Sequence, residues 1–211
     1  MTNLYYYKLT SDNNGAPCLG DGGSLLSLAI CKPMIRGKAK LCDLIFGFAA
    51  SSLHEDNRLI YIARITAKES DGNYFKKAKY SNRGDCIYEW KDGRFSRRKN
   101  ALHHEDPVNL DHDIGTHPDY SRANVLLSCD FRYFGKAGSA DYKKEKEFSE
   151  IKNAIENLGR GHRVNHSEKL RCQLLALKNK VWTNHTKNFI GKPASDLRRG
   201  ICHRSKSCGI V

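Results

Sequence analysis

The stretch "NVLLSCDFRYFG" (124–135), followed a few residues later by "DYKKEKEFSEIKNAIENLG" (141–159), decides how the chain is read. The first segment is short and rich in branched and aromatic residues, which marks a strand. In the second, Phe148, Ile151, Ile155 and Leu158 recur at helical spacing, and Gly159 marks a stop. The chain therefore changes from β to α patterning between residues 135 and 141.

Upstream, "NLYYYKL" (3–9), "LLSLAIC" (25–31), "DLIFGFA" (43–49), "LIYIARITA" (59–67) and "DCIYEW" (85–90) repeat the strand signature between clusters of Gly, Asn, Asp and Ser. The glycine-rich segment 11–24 reads as a loop, and "HEDNR" (54–58) and "KDG" (91–93) read as hairpin turns, with Gly93 at positive φ. Downstream, Ser167 caps a second helix carrying the stripe Leu170, Leu174, Leu177 and Val181. "GRGHRVN" (159–165) reads as the loop between the helices. The expected fold class is α+β: a β domain over 1–135 built as a sheet or small barrel, a helical extension packed on it over 136–190, and a basic, weakly ordered tail over 191–211.

At 211 residues, with 39% hydrophobic and 28% charged residues, the chain can bury a sizeable core. No apolar run approaches the roughly 18 residues of a membrane span, and "MTNLYYYKLT" lacks a signal-peptide pattern, so a cytoplasmic protein is expected. The eight cysteines are scattered with no CxxC, which favours reduced, mostly buried thiols. Cys202, His203 and Cys208 in the tail could contribute to a zinc site, but a fourth ligand is not evident. No cofactor motif is present, and none is expected. The net charge of +13 is uneven: residues 1–135 carry 19 Lys and Arg against 16 Asp and Glu, and residues 136–211 carry 17 against 7. That basic C-terminal third suits a phosphate-bearing partner, a nucleotide or nucleic acid.

Four places carry residues able to do chemistry. In "CKPMIRGKAKLCD", Cys31 closes a strand and Lys32, Arg36, Lys38 and Lys40 follow; Pro33 should hold Lys32 extended, giving a rim of cations. In "NRGDCIYEW", Asp85 enters a strand that presents Tyr88, and the carboxylate could orient a base or simply form a turn. In "NALHHED", His103 and His104 face opposite ways if extended, one toward a ligand. The His/Asp-rich run "NLDHDIGTHPD" (109–119) could hold a divalent ion but lacks a fixed ligand spacing, and reads as a mobile polar loop. In the last strand, Asp130 precedes Phe131 and Tyr133, which share a face on which a base could stack.

Taken in order, "YYKLTSDNNGAPC", "AICKPMIR", "CDLIFGFA", "YIARIT", "NRGDCIYEW", "NALHHED", "VLLSCDFRYFG" and "GRGH" resemble the nucleotide modification associated domain 2 family over residues 4–165. That family accompanies phage and mobile-element systems that modify DNA bases. The beginning also resembles the EVE and ASCH members of the PUA-like barrels, which implies a PUA-like barrel or strongly curved mixed sheet. In those barrels a "GD" precedes a strand at the rim; here Cys42 replaces the glycine and Asp43 is retained. The resemblance implies one pocket containing Cys31, Lys32, Arg36, Asp43, Asp85, Tyr88, His103, His104, Asp130, Tyr133 and His162. Two functions follow from it. One is recognition of a modified base or nucleotide, with Tyr88, Phe131 and Tyr133 stacking, histidines and carboxylates reading the base edge, and cations on phosphate. The other is an amidohydrolase, glycosylase or group transferase, with Lys32 or His103 as base, Asp85 or Asp130 as orienting acid and His104 also among the catalytic residues. A structural subunit of a defence system would leave the histidines exposed.

Overall fold

A computed structural model describes residues 2–20 and 22–195. It contains three sheets and six helices, a mixed α+β architecture. The central sheet has the order β10(Asp130–Tyr133)–β5(Leu59–Arg64)–β4(Leu44–Ala49)–β1(Leu4–Leu9)–β11(His162–Arg163). Only the β1–β4 pair is parallel, so the sheet is mixed. A second, antiparallel sheet runs β2(Cys18–Leu19)–β3(Leu26–Leu28)–β9(Val125–Ser128)–β6(Ala67–Glu69). The third is the hairpin β7(Tyr88–Lys91)–β8(Arg94–Arg97), closed by Asp92 and Gly93, both at positive φ. Asp-Gly is the pair that such a tight turn requires. Among the described residues no sheet closes on itself, so the strands do not form a barrel.

Strand alternation sorts the core into layers. Leu4, Tyr6, Leu44, Phe46, Phe48 and Ile62 point to one side of the central sheet, where they pack on α5(Ser149–Glu156) and α6(Glu168–Asn184) through Ile151, Ile155, Leu170 and Leu174. Tyr5, Tyr7, Ile45, Tyr61, Phe131 and Tyr133 point to the other side, against Leu26, Leu28 and Leu126 of the second sheet. Gly47 makes this fit possible, because a Cβ there would lie 2.2 Å from the Tyr61 ring. Val125 and Leu127 face away from that interior onto a third cluster with Tyr74, Phe75, Tyr88, Phe95 and Ile114. Strand β9 is thus covered on both faces, which explains its unbroken apolar run.

Several elements differ from the sequence reading. The α region begins with α4(Asp141–Lys144) and a 3₁₀ turn before α5, while Ser167 caps α6 through the Leu170 N–H at 3.2 Å. "GRGHRVN" contains β11, a two-residue edge strand too short to give a periodic signal. Lys32 is not extended: it takes φ 46° and ψ 45°, directly before Pro33, which opens α1(Pro33–Lys38). A left-handed residue before proline is sterically disfavoured and persists only where surrounding contacts fix it. The run 109–119 is not a loop throughout, because α3(Val108–Ile114) buries Asp113 and Ile114.

Candidate functional site

The chain leaves β3 through Ala29 and Ile30, reaches Cys31 and Lys32 with φ of 56° and 46°, and enters α1. This strand–turn–helix raises the Cys31 thiol to the edge of a cleft of about 380 Å³ that is also lined by Tyr7, Lys8, Lys32, His103 and His104. Cys31 Sγ lies 3.3 Å from His104 Nε2, and His104 Nδ1 lies 2.5 Å from Asp113 Oδ2. Asp113 is fully buried and also accepts from the Cys31 N–H at 2.8 Å and the Tyr88 hydroxyl at 2.8 Å. Thiol, imidazole and carboxylate therefore form one hydrogen-bonded chain, the geometry of an assisted nucleophile.

The protonation of this chain follows from its contacts. Burial alone would lower the His104 pKa, but the hydrogen bonds to Asp113 and Cys31 outweigh it and lift the ring to about 10. Burial pushes Asp113 up, and the His104 and Tyr88 hydrogen bonds with the charges of His104 and Arg36 bring it below the usual carboxylate value. Burial, then Asp113, push the Tyr88 phenol up, which keeps it a donor.

Arg36 is fully buried rather than on a rim. Its guanidinium donates to the carbonyls of Cys31 (2.7 Å), Asp113 (2.5 Å), Arg122 (2.9 Å) and Asn124 (2.5 Å), and lies 3.9 Å from Asp113 Oδ1. It ties the nucleophile turn to α3, and its full burial keeps it from reaching a phosphate. Lys32 does face the cleft, its Nζ 4.6 Å from the centroid of the Tyr7 ring. Burial lowers its pKa, opposed by Cys31. His162 stands close enough to Lys32 for that charge to add to the lowering that burial imposes on it. His103 is buried against Gly15, where a Cβ would lie 2.9 Å from its ring.

The other expected residues lie elsewhere. Asp85 is fully buried and accepts from Ser27 Oγ at 2.5 Å and the Tyr74 hydroxyl at 2.6 Å, with Arg83 at 3.7 Å. That network ties β3 to α2(Asn73–Lys76). Asp130 pairs with Arg64 at 2.8 Å and accepts from the Trp182 indole at 2.8 Å, beside α6. Phe131 and Tyr133 are fully buried between the sheets, and the Tyr133 hydroxyl bonds Asp12, so neither offers an open face to a base. Asp43 accepts the backbone N–H groups of Asn3 (2.8 Å) and Lys40 (2.9 Å), closing a turn in which Cys42 takes the φ of 69° that glycine would favour.

In the sequence Asp113 reads only as part of the run 109–119, an ion site or polar loop, and not as a member of the pocket. Its signal lay in Leu110, Asp113 and Ile114, one helical face within a run that reads as polar. Among the described residues no group of three or more His, Cys, Asp or Glu side chains could hold a metal ion. Cys202, His203 and Cys208 lie outside the described residues. No helix among the described residues is long and apolar enough to cross a membrane. A larger groove of about 560 Å³, lined by Arg83, Glu89, Arg98 and Lys99, contains none of the three linked residues and shares only Leu102 with the cleft.

No curated protein and no solved structure matches the chain. Its sequence matches the nucleotide modification associated domain 2 pattern over residues 1–198, nearly the whole of its length, and the chain belongs to that family.

Proposed function

We propose that this protein is a cysteine-dependent acyl-transfer enzyme of amidohydrolase type, acting on a nucleotide or modified base. The observation that carries the reading is the 3.3 Å contact of Cys31 Sγ with an imidazole whose other nitrogen is fixed by a buried carboxylate. In the cycle, the Cys31 sulfur, as a thiolate paired with protonated His104, attacks an acyl carbon. The C–N bond breaks, and the departing nitrogen takes the proton from His104. Water then gives a proton to His104, attacks the thioester and releases the acid, which restores the Cys31 thiolate beside protonated His104. An amine in place of water makes the same sequence a group transfer. Asp113 holds the ring so that Nε2 faces sulfur and offsets its positive charge. Thr10, Ser11 and Asn13 on the cleft wall supply donors for the oxyanion.

Family membership supplies the setting, nucleotide modification. We place it in the cytoplasmic modification of DNA bases by phage or mobile elements, with the PUA-like relationship resting on the Cys42–Asp43 turn at the entrance to β4. Recognition without turnover is the weaker reading, because burial of Tyr88, Phe131 and Tyr133 removes its stacking surface. The test is limited alkylation with iodoacetamide followed by peptide mass mapping. Cys31 should react at least tenfold faster than exposed Cys172, and His104→Asn should abolish the difference. Equal rates at the two cysteines would overturn the proposal. Incubation with nucleotides and oligonucleotides bearing acylated bases, read as product mass, separates turnover from recognition.

A further inference from the structure

Lys32 is chemically costly where it stands. It follows the thiol directly, holds a left-handed conformation before proline, and sets its half-buried ammonium over the Tyr7 ring at the cleft. Tyr7 is itself fixed, its hydroxyl 2.9 Å from that of Tyr61, so the ring offers the cation a rigid face. Such a contact recovers part of the hydration that a buried ammonium gives up. No carboxylate among the described residues pairs with Lys32, and none lines the cleft, although Lys8, His103 and His104 do. A cation seated on an aromatic face, in a cleft whose wall carries no carboxylate, is arranged for a ligand that brings the negative charge.

We propose that Lys32, seated on Tyr7, is the anion subsite of this cleft, so that the substrate carries an oxyanion close to the bond that Cys31 attacks. The oxyanion is either the phosphate of a nucleotide or the carboxylate of an acyl group borne on the base. This deepens the thiol reading and rests on it. Lys32 is then a specificity residue, with no proton transfer assigned to it. A ligand anion over Tyr7 pairs with the half-buried ammonium, and the single positive charge selects against neutral analogues.

The experiment compares iodoacetate with iodoacetamide at Cys31, using exposed Cys172 in the same protein as the internal standard. Both reagents form the same S–C bond and expel iodide, and they differ in the charge beside the reacting carbon. Cys31 should favour iodoacetate relative to Cys172 on the order of tenfold, the size expected of one unscreened charge nearby. Lys32→Gln should slow iodoacetate at Cys31 more than iodoacetamide and so remove that preference, and Lys32→Arg should keep it. A preference that survives Lys32→Gln overturns the subsite. So does a Gln variant that slows both reagents equally, since Lys32 would then serve the thiol alone. If Cys31 reacts no faster than Cys172 with either reagent, the thiol reading itself fails, which is a different result. The anion's source comes from protection against iodoacetamide. Protection by deoxynucleoside monophosphates, and not by deoxynucleosides, identifies phosphate; iodoacetate preference without such protection identifies carboxylate. Thermal melts of both variants establish that the fold is intact.

Discussion

Replacing Asp113 with Asn separates a catalytic chain from a structural clamp, because shape is retained and charge is not. In the native protein its Oδ1 accepts the Cys31 N–H, and its Oδ2 accepts from His104 and the Tyr88 hydroxyl. Asparagine has one acceptor oxygen. If that oxygen keeps the Cys31 bond, its NH₂ faces two former donors, and both must rotate. Each hydrogen bond to a charged group is worth about 1.5–3 kcal/mol. The substitution also leaves the fully buried Arg36 guanidinium without a counter-ion, and breaking a buried pair costs about 3–5 kcal/mol. These costs overlap, so the loss should be about 4 kcal/mol, lowering Tm by roughly 10 °C for a chain of this size.

The chemical effect is separable from that loss. With an amide donating to Nδ1, that nitrogen cannot carry a proton, so the ring stays neutral and loses the positive charge that pairs with the Cys31 thiolate. Alkylation of Cys31 by iodoacetamide at neutral pH should fall at least about a hundredfold, as expected when a carboxylate no longer sets the imidazole tautomer. The assay is mass-mapped alkylation at a temperature well below the lowered Tm. A variant that melts early yet alkylates Cys31 at the native rate would refute the reasoning and leave Asp113 as a fold clamp.

Four further outcomes are expected. His104 holds its proton to about pH 10 in the folded state against 6.5 as a free side chain, so its stabilising contribution is complete below about 6.5 and is lost as pH rises toward 10. The stability of the native protein should therefore fall by up to about 1.4 kcal/mol per pH unit in that window, and His104→Asn should flatten the slope in denaturant titrations. Arg36→Lys offers one ammonium to four carbonyls and should cost about 3–5 kcal/mol in the same titrations. Asp85→Asn, which disturbs Ser27, Tyr74 and Arg83, should lower Tm without changing the Cys31 alkylation rate; a matching loss of reactivity would tie that network to the site. Gly15→Ala has ordinary backbone geometry but meets the His103 ring, so it should alter ligand protection of Cys31 while moving Tm by only a few degrees.

How much of this was legible in the sequence depends on the range of the interaction. Local signals were readable: the change of period after Gly135, the Ser167 cap and the Asp92–Gly93 turn each depend on a few neighbouring residues. Short elements such as β11 and α1 carry too few residues for a period to emerge. The site was half legible for the same reason. Cys31, Lys32 and His104 stand out by chemistry, but the carboxylate that joins them is chosen by topology. Asp85, Asp113 and Asp130 look alike in sequence. The fold sends the first to a tie between β3 and α2, the second to His104 and the third to α6. Arg36 is the clearest inversion, since a cation in a basic run reads as surface and here binds four carbonyls with no exposure.

Backbone conformation gives an independent reason to regard the Cys31 network as functional and the Asp85 network as structural. Each is built on a fully buried, hydrogen-bonded carboxylate, so burial of the carboxylate alone does not discriminate. Among the described residues nine non-glycine residues have positive φ; four are Asn or Asp and one, His104, is of the third type that tolerates it. Cys31, Lys32 and His104 all line one cleft, while Ser27, Tyr74, Arg83 and Asp85 have no such conformation. Each strained residue costs on the order of 1–3 kcal/mol and persists only where its surroundings over-determine it. The four carbonyl contacts of Arg36 and the three acceptor contacts of Asp113 are that over-determination. A protein that needed only a stable core could relax all three residues by ordinary substitution, so the strain is best explained by the position it gives the sulfur.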